Sequence, residues 1–239
     1  MFFKRIKKKQ PDPLSSSHLI SFLRPHSNPA EQFRTIRTNI NFAQFGKKVK
    51  SILVSSSVPK EGKTTLSANL AYVMAQTEKK VLLVDADLRK PTVHRTFNLN
   101  NDQGLATLIA DEDETLRFEE IIQYNQDLNL YFLPSGPPPP NPSELLGSAK
   151  MQAIVETFHQ HFDFVIYDAP SLGSVTDPQI LAAFVDGLVF VVRRGYVSKE
   201  KVHAAITSLQ NLNTIILGYV LNDVPKDSTD SYYYHSETE

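Results

Sequence analysis

Residues Val81 to Pro91 read VLLVDADLRKP, an all-apolar run that ends in Asp85, Asp87 and Arg89 with the spacing Asp-x-Asp-x-Arg, then a proline. Apolar residues without alternation mark a strand covered on both faces, the usual condition of a parallel strand. Carboxylates placed where that strand ends fall at the carboxyl edge of an open sheet, which is where ligands bind in doubly wound folds. Two further segments repeat the pattern. In SILVSSSVPKEGKTT, Ile52 to Val54 give a strand, Ser57 to Lys60 a loop, and Gly62-Lys63-Thr64-Thr65 the opening of a helix. In FDFVIYDAP, from Phe162 to Pro170, another apolar strand ends in Asp168.

The strand-loop-helix segment reads as a phosphate-binding loop. Ser57, Lys60, Glu61, Gly62, Lys63, Thr64 and Thr65 are the expected nucleotide contacts: loop amides and free N–H groups at the helix start point at phosphate oxygens, and Lys63 reaches the β- and γ-phosphates of ATP. The Thr64 hydroxyl binds Mg²⁺, and Asp85 and Asp168 hold the ion or its waters, since Mg²⁺ keeps several waters and takes few direct carboxylates. Ser57 stands at the first glycine of the consensus, so the match is Gly-Lys-Thr in its proper context. Asp177, in Val175-Thr176-Asp177-Pro178, either caps the next helix or joins the site.

The remaining chain completes an α/β fold, a doubly wound and mainly parallel sheet. Strands are expected at Leu128 to Leu133, Phe164 to Tyr167, Leu188 to Val192 and Ile215 to Leu221. Helical segments alternate with them near Leu116 to Tyr124, Met151 to Phe162, Pro178 to Phe184 and Lys199 to Leu209. GPPPPNP, from Gly136 to Pro142, interrupts both element types and precedes a helix start at Ser143-Glu144. The expected division is a basic arm and connector over 1–27, a nucleotide-binding domain over 28–225 and a flexible tail over 226–239. Within the domain, Asn28 is the expected cap of the first helix, with Pro29 at its first position and Glu31 closing a capping box.

With 239 residues and 41% apolar content the chain can bury one sizeable core. Cysteine is absent, which removes disulfides and thiolate chemistry and fits a cytoplasmic setting. The start, MFFKRIKKKQ, lacks the apolar stretch of a secretory signal, and no apolar run approaches the roughly 18 residues of a membrane span. A net charge of −1 gives no argument for nucleic-acid binding. The histidines show no ligand spacing, and His159-x-His161 is expected at the surface.

These motifs, in this order, resemble those of the bacterial protein-tyrosine kinases of capsule and exopolysaccharide export, over roughly Asn28 to the terminus. The resemblance implies a P-loop NTPase fold, with Asp85/Asp87/Arg89 as Walker A′ and Asp168 as Walker B. Partition and septum-placement ATPases share the fold but carry a lysine at the second loop position, where this chain has Val58. The family implies further that Glu31, Arg34 and Arg37 in EQFRTIRTN form one helical face that docks on a neighbouring subunit. As a local device, the same Glu31 closes the helix start. The resemblance also implies a ring-like homo-oligomer, a membrane activator of the polysaccharide co-polymerase type, sugar-nucleotide enzymes as further substrates, and a cytoplasmic position at the inner face of the membrane. Asn222, ending the last strand, either reads adenine as in this superfamily or makes a turn. Similar kinases usually have glycine where this chain has Lys60, a side chain that either adds a cation beside the phosphates or points to solvent.

Tyr232, Tyr233 and Tyr234, in a polar acidic tail, look presented as phosphoacceptors. The ten residues from Asn222 to Tyr232 span at most roughly 35 Å, enough to reach the chain's own site or a neighbour's. A phenol has a pKa near 10, so a base is useful as transfer proceeds. Asp85 or Asp87 takes that proton, with Asp85 favoured. Arg89 and Lys90 either hold the acceptor's acidic surroundings or form ion pairs. The alternatives are an ATPase switch whose only chemistry is hydrolysis and a nucleotide-dependent scaffold.

Overall fold

The structure is a computed structural model that describes residues 4–5, 19–43, 49–111, 113–210 and 214–225. Among the described residues eight strands form one sheet: β1 (Lys4–Arg5), β2 (Ser51–Ser56), β3 (Val81–Asp85), β4 (Gln123–Asn125), β5 (Leu130–Leu133), β6 (Phe164–Asp168), β7 (Gly187–Arg193) and β8 (Ile216–Asn222). Their order is β1-β4-β5-β3-β6-β2-β7-β8. Every neighbouring pair is parallel except the β4–β5 hairpin. Parallel pairing requires crossovers, and helices supply them on both faces.

The all-apolar runs are covered on both sides, as their composition dictates. Leu53, Leu82, Val84 and Val165 face one core, which the helix Ala149–His161 closes with Met151, Val155 and Phe158. Ile52, Val54, Val81, Leu83 and Ile166 face the other, closed by Leu70, Val73 and Met74 of the helix Lys63–Ala75. Successive strand residues thus alternate between two buried layers, the signature of a doubly wound sheet.

Some local expectations shift. The helix expected to run to Tyr124 ends at Ile121, because Gln123–Asn125 leaves it to pair with β5; a polar three-residue strand carries too little pattern to be read in advance. Ser27, and not Asn28, caps the helix Asn28–Phe42, its Oγ accepting from the Ala30 amide at 3.4 Å. Pro29 is then the second helical residue, and Glu31 pairs with Arg34 where a capping box was expected. The short helix Ile20–Leu23, ahead of Asn28–Phe42, belongs to the packed unit as well. Leu19 is buried in the second core and the Ser21 amide donates to Asn69 Oδ1 at 2.9 Å, so packing begins nine residues before residue 28. A helix start expected at Ser143-Glu144 lies at Pro142, one residue earlier.

Register decides what this frame presents. Val54 of β2 and Asp85 of β3 both lie opposite Asp168 of β6, so two carboxylates and the start of the phosphate loop meet at one carboxyl edge.

Candidate active site

The loop after β2 is built as a clasp around its own glutamate. Glu61 is fully buried; its Oε2 accepts from the Ser57 hydroxyl at 2.7 Å and the Val58 amide at 2.8 Å, and its Oε1 from the Arg193 amide at 3.1 Å. From the last strand, Asn222 Nδ2 donates to the Glu61 carbonyl at 2.9 Å. Ser57, Glu61 and Asn222, all expected as nucleotide contacts, therefore use these side-chain groups to shape the loop. Gly62 follows at φ +100°, a backbone state natural to glycine, and opens the helix Lys63–Ala75 with its free amides directed outward.

Lys60 sits at φ +66°, left-handed backbone that costs a side-chain-bearing residue about 1–2 kcal/mol. That conformation is the physical reason a glycine suits the position. The side chain is exposed at the rim of the cavity. Lys60→Gly is expected to raise the stability of the nucleotide-free protein by about 1 kcal/mol, less the added freedom of the unfolded glycine. Urea denaturation at equilibrium checks this, and an unchanged or lower midpoint would refute the strain argument.

Around the helix start the polar groups interlock. Lys63 Nζ donates to Ser56 Oγ at 3.2 Å, and burial lowers its pKa against the opposing pull of Asp168, Asp87 and Glu61. Thr64 Oγ1 donates to Asp168 Oδ2 at 2.6 Å and lies 3.0 Å from Thr92 Oγ1. Ser67, one turn further along the helix, donates to Asp168 Oδ1 at 2.9 Å. Burial pushes the Asp168 carboxyl up to about 6 in spite of those two hydroxyls.

The two aspartates of the Asp-x-Asp-x-Arg block differ sharply. Asp85 is fully buried; its Oδ2 accepts from the amides of Thr92 and Val93 at 3.0 and 2.9 Å, and its Oδ1 from the Asp87 amide at 3.3 Å. Burial, then the neighbouring Asp168, raises its pKa well above the ordinary carboxylate value. Asp87 lines the cavity: its Oδ1 accepts from the Arg89 and Lys90 amides at 3.2 and 2.9 Å, while Oδ2 has no hydrogen bond among the described residues. Arg89 also lines the cavity, and it grips Asp177 through Nε and Nη2 at 2.8 and 3.0 Å. Asp177 therefore makes no cap; it is the buried anchor of that arginine.

These groups enclose a cavity of about 710 Å³ lined by Lys60, Gly62, Lys63, Thr64 and Thr65 on one side, by Asp87, Arg89, Lys90 and Thr92 on another, and by Asp168 to Ser171 at the end of β6. Its volume and donor set fit a nucleoside triphosphate. A divalent ion fits in one way: a hydroxyl and a buried carboxylate bound to each other at 2.6 Å offer hard oxygen ligands, and a cation there would relieve the buried charge of Asp168. Among the described residues no group of three His, Cys, Asp or Glu side chains is placed to hold a metal ion.

Sequence reasoning did not single out Ser56, Ser67, Thr92 and Ser143 as partners of the site. Of these only Ser67 had a local signal, its helical spacing of three from Thr64. The helix carrying Glu31, Arg34 and Arg37 lies elsewhere. Arg34 pairs with Glu31 and donates to the Pro25 carbonyl at 2.8 Å, and Arg37 donates to the Val73 carbonyl at 2.7 Å. His159 is half-buried with a lowered pKa, where a surface position was expected. Tyr232, Tyr233 and Tyr234 lie outside the described residues.

A family model described as an AAA domain matches residues 49–217. Tyrosine-protein kinase YwqD of Bacillus subtilis is 41% identical over 218 residues, 91% of this chain and 91% of its own. Among solved structures, the chimerical protein CapA2B2 is similar with a TM-score of 0.83 at 37% identity, covering 95% of each chain. The kinase domain of the Escherichia coli tyrosine kinase ETK gives a TM-score of 0.85 at 29% identity, covering 94% of this chain and 85% of the other.

Proposed function

The chain belongs to the bacterial tyrosine-protein kinases built on an AAA domain, and from that premise we propose that it is an ATP- and Mg²⁺-dependent autokinase that phosphorylates Tyr232, Tyr233 and Tyr234 of its own C-terminal tail. The observation that carries the reading is the convergence of Lys63, Thr64, Asp168 and Asp87 on one cavity. Helix amides from Gly62 to Thr65 and the Lys63 ammonium orient the phosphates and neutralise their charge. Thr64 and Asp168 would hold Mg²⁺, which when bound spreads the charge that develops on the transferring group.

Transfer forms a bond from the tyrosine oxygen to the γ-phosphorus and breaks the bond from that phosphorus to the β–γ bridging oxygen, releasing ADP. The phenolic proton needs an acceptor. Asp85 was the favoured base from sequence, but its oxygens accept three backbone amides and it is buried. Asp87, with one oxygen free toward the cavity, suits the role better, and Asp85 then serves as the buried support that holds Asp87 through the latter's amide.

The reading extends to regulation of capsular or exopolysaccharide synthesis, as the resemblance implies, with recruitment to the membrane by an activator. No helix among the described residues is long and apolar enough to cross a bilayer. Self-assembly would use the helix Asn28–Phe42, where Glu31 and Arg34 stand pre-paired and Arg37 is tied to the neighbouring helix.

The test is to incubate the purified chain with Mg²⁺-ATP, with and without the cytoplasmic segment of a candidate activator, and to map phosphate by mass spectrometry beside a Lys63→Met control. Lys63-dependent phosphate on Tyr232 to Tyr234 is expected. ADP release without phosphotyrosine under both conditions would replace this reading with the ATPase switch. Sedimentation of the same preparations tests the ring, which a chain that stays monomeric at all concentrations would remove.

A further inference from the structure

Arg89 and Asp177 stand 88 residues apart in sequence and grip each other by two parallel hydrogen bonds, Nε to Oδ2 at 2.8 Å and Nη2 to Oδ1 at 3.0 Å. Ser143 closes the group: its hydroxyl donates to Asp177 Oδ1 at 2.8 Å and accepts from Arg89 Nη2 at 2.9 Å. The Asp177 side chain is fully buried and the Arg89 side chain 37% exposed. Three separate elements meet here: the loop after β3, the start of the helix Asp177–Ala182 and the start of the helix Pro142–Leu146.

The loop pinned at Arg89 is the one that orients Asp87. The amides of Arg89 and Lys90 donate to Asp87 Oδ1, so the main chain of the clasped residue itself aims that carboxylate. Resting on the reading that Asp87 receives the phenolic proton, we infer that Arg89, Asp177 and Ser143 are positioning residues for phosphoryl transfer, locking the Asp87 loop to the starts of the helices Asp177–Ala182 and Pro142–Leu146. A planar guanidinium matches a carboxylate bidentately, which a lysine cannot, and a group held from two sides resists rotation. Loose placement of a proton acceptor slows the chemical step while leaving phosphate binding intact, because the phosphates are held on the other wall by Gly62 to Thr65.

The experiment compares Asp177→Asn and the milder Ser143→Ala with the parent chain. Three quantities are read: kcat for tyrosine phosphorylation, the Kd for Mg²⁺-ADP, and hydrogen exchange at the Arg89 and Lys90 amides. The expected result is a kcat lower by about 10- to 100-fold for Asp177→Asn and by a few-fold for Ser143→Ala, with Kd within about twofold and faster exchange at both amides. Arg89→Lys should recover less than half of the parent kcat. Unchanged exchange at those amides in the folded Ser143→Ala chain overturns the inference whatever the activity, as does a loss of nucleotide affinity equal to the loss of kcat. A parent chain that makes no phosphotyrosine overturns instead the functional reading on which the inference rests.

Discussion

Asp168→Asn is expected to lower turnover on the order of 100-fold or more while making the nucleotide-free protein more stable at neutral pH. The two effects share one cause. Asp168 is buried at the end of β6, and burial pushes its carboxyl from 3.8 up to about 6. A carboxyl whose folded pKa is raised gives a contribution that is fully present below the unfolded value and is lost as pH rises through the folded one. Between about pH 4 and 6 the native state therefore loses up to roughly 3 kcal/mol from this group, and above pH 6 it keeps a buried anion. Asparagine removes the charge but keeps the shape: its carbonyl can accept from Thr64, and its amide can donate to the Ser67 hydroxyl. Thermal melts from pH 4 to 8 should show the variant matching the parent at the acid end and exceeding it above pH 6. Parallel curves across the range would contradict the burial argument. The catalytic loss follows because a neutral amide is a poor partner for the divalent ion that Thr64 and Asp168 would hold.

Gly62→Ala should disable the loop by a different route, with a loss of stability of about 2–3 kcal/mol and of nucleotide binding together. A Cβ on Gly62 would lie 2.2 Å from Asn222 Nδ2, and φ of +100° is hostile to any side chain. Asn222 can swing aside, but it then gives up its bond to the Glu61 carbonyl, which ties the last strand to the loop. Two contributions are thus separable. Pairing Gly62→Ala with Asn222→Ala removes the clash and leaves the backbone strain, so the double variant should be more stable than the sum of the single losses by about 1 kcal/mol. Strict additivity in urea denaturation would show that Asn222 does not sense residue 62. Isothermal titration with Mg²⁺-ADP should find binding lost in Gly62→Ala and only partly restored in the double variant.

Much of this site was written locally. Val81 to Val84, Ile52 to Val54 and Phe164 to Tyr167 are runs whose composition alone demands burial on both faces, and Gly62-Lys63-Thr64 opens a helix wherever a strand and loop precede it. Residue order alone therefore puts Asp85 and Asp168 at one sheet edge. Short polar pieces escaped the same logic: β4 exists because β5 lies beside it, and Ser27 displaced Asn28 as cap by a one-residue difference in where the helix begins.

The sequence by itself determined the fold class, the phosphate loop and the acids that end the strands, because each follows from residue order within a few positions. Tertiary structure alone decided their duties. Asp85 and Asp87 are two residues apart and chemically identical, yet one is covered by the Thr92 and Val93 amides and the other faces the cavity. Within the chain Arg89 meets Asp177 across 88 residues, and Asn222 meets the Glu61 carbonyl across 161. Such choices depend on strand register and on the path of loops between distant elements. A hydrogen bond is satisfied by whichever partner the packed chain brings within about 3 Å, and no local pattern records that distance.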